Sequence, residues 1–156
     1  MTIFQENAFG LQTLKGTTST GISFSKVPAK ILPASTNSLY GGTAVKLVDS
    51  TLQEIVVDKA AATDKIFGYV EFNRKGGSLN GAFTGNDNVD IVMMNAGNIM
   101  RMEANAAIAT GSLLEIVASG DKVITNAGTN KIAGRALKKA TASGDIIDVE
   151  LITINI

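Results

Sequence analysis

The reactive side chains of this 156-residue chain are carboxylates, amines, guanidinium groups and hydroxyls; it has neither cysteine nor histidine. Those two absences together remove thiol nucleophiles, Ser-His triads, disulfides and ordinary zinc sites. A few close groupings remain. Asp87 and Asp90 sit in one short segment, and Asp145, Asp148 and Glu150 in another. Paired carboxylates hold calcium or exchange protons. Asp87-Asn88-Val89-Asp90 does not follow the ligand spacing of an EF-hand loop, and Asp148 and Glu150 alternate as a solvated strand face does. No metal site is expected. The glycine-rich stretch 76–81 (GGSLNG) lacks the lysine and the helix of a phosphate loop and reads as a hairpin loop.

The basic doublets Arg74-Lys75 and Lys138-Lys139 are not interleaved with aromatics. Lys plus Arg number 14 against 14 Asp plus Glu, so no net charge is available to neutralise phosphates and no nucleic-acid partner is expected. Met93, Met94, Met100 and Met102 flank the turn at residues 95–98 and suit core or interface packing. Asp58-Lys59-Ala60 has the tripeptide form that surrounds the modified lysine of small carrier barrels. Met100-Arg101-Met102 has arginine where such a domain carries its acceptor. A carrier or binding module is therefore the alternative reading, and an acylated or biotinylated Lys59 would support it. An enzyme using only carboxylate, Lys, Ser or Tyr is a third class. The expectation is no enzyme and no cofactor.

The elements that position these groups read as β. Hydrophobic residues make up 45% of the chain and charged residues 18%, enough apolar surface for a core. No run approaches the ~20 apolar residues of a membrane span, so no membrane partner is expected. MTIFQENAFG lacks the features of a secretory signal, which predicts synthesis in a cytoplasm. Residues 1–41 are rich in Ser, Thr and Gly, hold both prolines, and read as an extended N-terminal arm. From 42 to 156 short alternating runs follow one another: 45–47, 54–58, 66–72, 89–94, 99–103, 113–117, 122–125, 132–137 and 146–156. Gly- and Asn-containing turns separate them. The fold class is all-β, a small β-barrel or β-sandwich with little helix; only 59–63 and 105–109 signal helix weakly.

A weak internal repeat runs through this region (42–70 and 111–136). GTAVKLVDS at 42–50 lies over GSLLEIVAS at 111–119, and DKIFGYV at 64–70 over NKIAGRA at 130–136. It predicts a duplicated β-unit closing one small barrel. The shared Gly68 and Gly134 fall on inward faces, where a missing Cβ permits close approach or a sharp bend. In the run 66–72, period two places Ile66, Gly68, Val70 and Phe72 inward. Phe67 and Tyr69 then point outward as interface groups, unless both faces of this strand are buried within one barrel. In the arm, Phe4, Phe9 and Leu11 form a second set of interface candidates.

The ordered strings 64–70 (DKIFGYV), 89–94 (VDIVMM), 102–111 (MEANAAIATG) and 132–151 (closing on GDIIDVEL) resemble the small capsid cement or head-decoration proteins of tailed bacteriophages. The resemblance covers about three quarters of the chain. It implies a non-enzymatic virion protein, made in the host cytoplasm, on the outer surface of the capsid. It further implies the major capsid protein as partner and a homotrimer as the assembled form. The arm is expected to dock on the capsid protein or a neighbouring subunit.

Overall fold

The computed structural model describes residues 15–17, 26–72, 74–75, 78–79, 81–95 and 97–152. Among them the strands are β1 (Lys26–Ile31), β2 (Ala44–Leu47), β3 (Val56–Lys59), β4 (Gly68–Val70), β5 (Arg74–Lys75), β6 (Ser78–Leu79), β7 (Asn88–Met93), β8 (Ile99–Ala104), β9 (Leu113–Ile116), β10 (Lys122–Thr125), β11 (Gly134–Ala136) and β12 (Ile146–Glu150). No helix occurs among the described residues. β5 and β6 form a small hairpin across the glycine-rich stretch. The other strands close into two barrels, not one.

Barrel 1 runs β1-β3-β2-β4-β7 and barrel 2 runs β8-β10-β9-β11-β12, each closing on its first strand. The two orders are the same, strand for strand. β1 pairs parallel with β3 as β8 does with β10, and every other contact is antiparallel in both. Registers match as well: Val45 faces Gly68 as Leu114 faces Gly134, and Tyr69 faces Val92 as Arg135 faces Glu150. The sequence repeat is thus a whole barrel used twice. Each copy supplies five strands and closes on itself, leaving the first half of β1 and of β8 without a second strand partner.

The interiors are equivalent in place and different in size. Ile31, Val45, Val57, Val70 and Ile91 fill barrel 1, and Ala104, Leu114, Val123, Ala136 and Val149 fill the same positions in barrel 2. One end of each barrel is shut by a lone bridge, Leu39 to Phe83 in the first and Ile108 to Ala140 in the second. Gly68 and Gly134 are the tightest points. A Cβ at Gly68 would stand 2.7 Å from Ile91 Cγ2, and one at Gly134 2.7 Å from the Glu150 carbonyl oxygen. No side chain fits either contact, which explains why glycine recurs there. The turn before the last strand also repeats. Asn86 (φ 71°) and Gly144 (φ 93°) hold the same left-handed position, one that Asn tolerates better than other side-chain-bearing residues. Asp87 and Asp145 then accept hydrogen bonds from the amides of Thr84 and Thr141 in turn.

The boundary of the arm needs correction. Residues 26–41 are part of barrel 1: β1 pairs with β7 along its length and with β3 at Lys30 and Ile31. Pro28 lies where β1 is paired on one side alone, so its missing N–H leaves no ladder bond unmade. The two weak helix signals, 59–63 and 105–109, are not helical: the first is the end of β3 and the turn after it, the second a bend and the bridge residue Ile108.

Candidate functional site

The two barrels meet at a built junction. β4 has apolar residues on both faces because it serves both barrels. Val70 belongs to the interior of barrel 1, whereas Tyr69 joins the cluster of barrel 2 together with Ala44, Ala60, Ile66 and Val92. Tyr69 is fully buried, and its hydroxyl donates to the Ala133 carbonyl at 2.8 Å. Burial pushes this phenol far above its ordinary pKa, so it stays a neutral donor. Two backbone bonds flank it: the Ala44 amide to the Gly120 carbonyl at 2.8 Å, and the Lys131 amide to the Ala62 carbonyl at 3.2 Å.

Residues 15–17 clasp the same junction. The Gly16 amide donates to the Arg101 carbonyl (2.8 Å), the Arg101 amide to the Thr17 carbonyl (2.8 Å), and the Phe72 amide to the Gly16 carbonyl (3.0 Å). This short segment therefore joins barrel 1 to the exposed side of β8. The equivalent of Arg101 in barrel 1 is Pro28, which has no amide hydrogen to satisfy. The Lys15 side chain lies over Gly42 and is nearly enclosed, with its ammonium 3.7 Å from Glu103 and 3.6 Å from Asp121. Lys122 completes the group at 2.9 Å from Glu103, and that hydrogen bond raises the Lys122 pKa. Burial works against the charge of Asp121, yet the Ser119 hydroxyl and the Lys15 ammonium hold its carboxyl below the usual range.

The outcome for the expected site residues is mixed. Phe4, Phe9 and Leu11 lie outside the described residues. Tyr69 is not an outward-facing contact group: its ring is the plug between the two barrels, and both faces of β4 are buried, one against each barrel. Phe67 is half-buried against the interior cluster of barrel 1 and also lines a groove. This groove, about 490 Å³, is bounded by Lys46, Leu47, Asp64, Lys65, Ile66, Phe67, Met93 and Met94. Lys46 and Asp64 form an ion pair of 2.9 Å beside it. The Ala61 amide, and then Lys46, hold the Asp64 carboxyl below its ordinary range.

The remaining polar candidates are engaged within the fold. Asp148 pairs with Lys138 at 2.9 Å, and Glu150 with Arg135 at 2.6 Å. Glu115 is buried at 8% exposure and accepts from the Asn126 and Asn130 side-chain amides and the Ala127 backbone amide, which pins the loop at 126–130. No group of three or more acidic, His or Cys side chains able to hold a metal occurs among the described residues. Lys59 is the last residue of β3 and lays its stem over Gly120 at the junction. Met100 and Met102 are buried in barrel 2, with Arg101 between them turned toward Thr17. Lys15, Gly120 and Ala133 escaped notice in the sequence because backbone atoms and a packed lysine stem carry their roles. One signal did exist in the aligned repeats: Phe67-Gly68-Tyr69 stands over Ala133-Gly134-Arg135. The small Ala133 opens the space that Tyr69 fills.

No protein-family model matches the chain, and no curated protein matches it. Among solved structures it is similar to the N base of head fiber gp8.5 in bacteriophage phi29. The identity is 12% and the TM-score 0.56, over 85% of this chain and 98% of that one. The likeness is one of fold: this chain shares a tandem all-β architecture with a phage head protein.

Proposed function

We propose that this chain is a virion structural protein that binds and stabilises the outer surface of a phage capsid, without catalysis. The observation that carries the reading is the fold shared with the phi29 head fiber base across 85% of the chain. Two others support it. The closing strings of the sequence resemble capsid decoration proteins. The carboxylates and lysines of the described residues are largely engaged with each other, and neither Cys nor His is available as a nucleophile or base. The partner is the major capsid protein and the assembled form a homotrimer. Many copies across adjacent capsomers resist internal pressure by multivalency, so that modest single contacts add up to high avidity.

The test is co-sedimentation of the purified chain with capsids lacking it. Binding to the capsids, with a gain in capsid resistance to heat, is expected; a protein that stays in the supernatant refutes the reading. A truncation that probes the arm must stop at residue 14. Deletion to residue 30 would remove the clasp at 15–17 and most of β1, and would break barrel 1. The chain starting at residue 15 is expected to fold and to lose capsid binding.

A further inference from the structure

We propose that a second copy of this chain seats the outer face of its barrel 2 in the groove of barrel 1, repeating between chains the contact that joins the barrels within one chain. This deepens the self-association in the reading above and names its surfaces.

The contact inside the chain is heterologous. An outer face of barrel 1, formed by Ala44, Tyr69 and Val92 on β2, β4 and β7, covers a socket in barrel 2 that includes Ile116, Ala133 and Leu151. Duplication gives each barrel both surfaces. Matching registers place Leu47, Phe67 and Met93 of barrel 1 where barrel 2 has Ile116, Ala133 and Leu151, and these three line the 490 Å³ groove. Covered and uncovered sockets differ as this predicts. Ile116 is 1% exposed, and its counterpart Leu47 is 58% exposed, the most exposed large hydrophobic residue described.

The matching free face is on barrel 2. Leu113, Arg135 and Glu150 occupy the places of Ala44, Tyr69 and Val92. Leu113 and Leu137 are exposed at 36% and 38% around the Arg135–Glu150 ion pair. The groove carries the complementary set, Lys46 and Asp64, so the two pairs can exchange partners across the contact. With charges in place of Tyr69 and Val92, this interface is weaker than the internal one and depends on concentration. Groove and face are different surfaces, so a single groove–face contact leaves one groove and one face free. Repeated, it closes into a ring or grows as a filament.

The experiment is light scattering on size-fractionated full-length protein, without capsids. Wild type should be larger than a monomer, its mass rising with concentration. Leu47→Lys, which blocks the groove, and Leu113→Lys, which blocks the face, should each give monomers with unchanged melting. An equimolar mixture of the two variants should give a dimer and nothing larger, because one intact face meets one intact groove and both other ends are blocked. A monomeric wild type at its highest soluble concentration overturns the proposal. So does either variant retaining the wild-type mass, or a mixture that stays monomeric. Capsid co-sedimentation of the monomeric variants is read separately: binding there upholds the virion role whatever the fate of this contact.

Discussion

Removing one oxygen atom at the junction tests whether Tyr69 couples the barrels. Tyr69→Phe keeps the ring and deletes the donor to the Ala133 carbonyl, a bond of 2.8 Å between two fully buried residues. An ordinary hydrogen bond nets about 0.5–1.5 kcal/mol, and a buried partner left unpaired costs about 1–3 kcal/mol. Both residues are fully buried, so the second figure governs. For a chain of this length each kcal/mol shifts Tm by about 2–4 °C, so a fall of roughly 2–12 °C is expected by calorimetry. Tyr69→Ala also empties the plug and should cost about 3–5 kcal/mol, the usual range for a buried aromatic. It should split melting into two transitions as the barrels uncouple. Tyr40→Phe is the control: Tyr40 is 43% exposed, and a surface change of this kind stays within about 0.5 kcal/mol. If Tyr69→Phe melts with the Tyr40→Phe control, the hydroxyl contributes nothing. If Tyr69→Ala still melts in one transition, Tyr69 does not couple the barrels.

Gly68→Ala and Gly134→Ala should each destabilise the protein by about 1–3 kcal/mol, the range for overpacking, because both added methyls meet the neighbouring strand at equivalent places. Urea midpoints read the two effects, and a neutral outcome at either position would contradict the close strand approach. Alkaline titration addresses the phenol. Because burial raises the pKa of Tyr69 in the folded state above its unfolded value, the unfolded chain gives up this proton first as pH rises. The stability that this phenol contributes should therefore be constant below about pH 10 and be lost above it. Tyr69 is one of two tyrosines, so half of the tyrosinate absorbance should appear only together with loss of the β circular-dichroism signal. Ionisation of both tyrosines before unfolding would contradict its burial.

Several features were legible from local pattern. Period-two runs at 89–94, 99–103, 113–117 and 122–125 became β7, β8, β9 and β10, since alternation on a half-buried strand needs no distant information. The overlay of 42–50 on 111–119 and of 64–70 on 130–136 anticipated equivalent strands and the recurrent glycines. β1 escaped because KVPAKI carries a proline within a Ser- and Thr-rich stretch, and its acceptability depends on a neighbour that pairs on one side alone. The second barrel escaped because a weak repeat is compatible with one shared closure or with two separate ones. Which strand closes on which is decided by contacts far apart in the chain, such as β1 with β7 and β8 with β12.

Composition and spacing by themselves determined that this chain is all-β, built from a repeated unit, and without imidazole or thiol, because these follow from residue identity and local periodicity. Only the tertiary structure decided that each repeat closes its own barrel and that Tyr69 turns away from solvent into the neighbouring one. It also decided that Leu47 is left uncovered where Ile116 is buried. A side chain on a strand knows its own face; whether that face meets water or a second barrel depends on how the two copies are stacked.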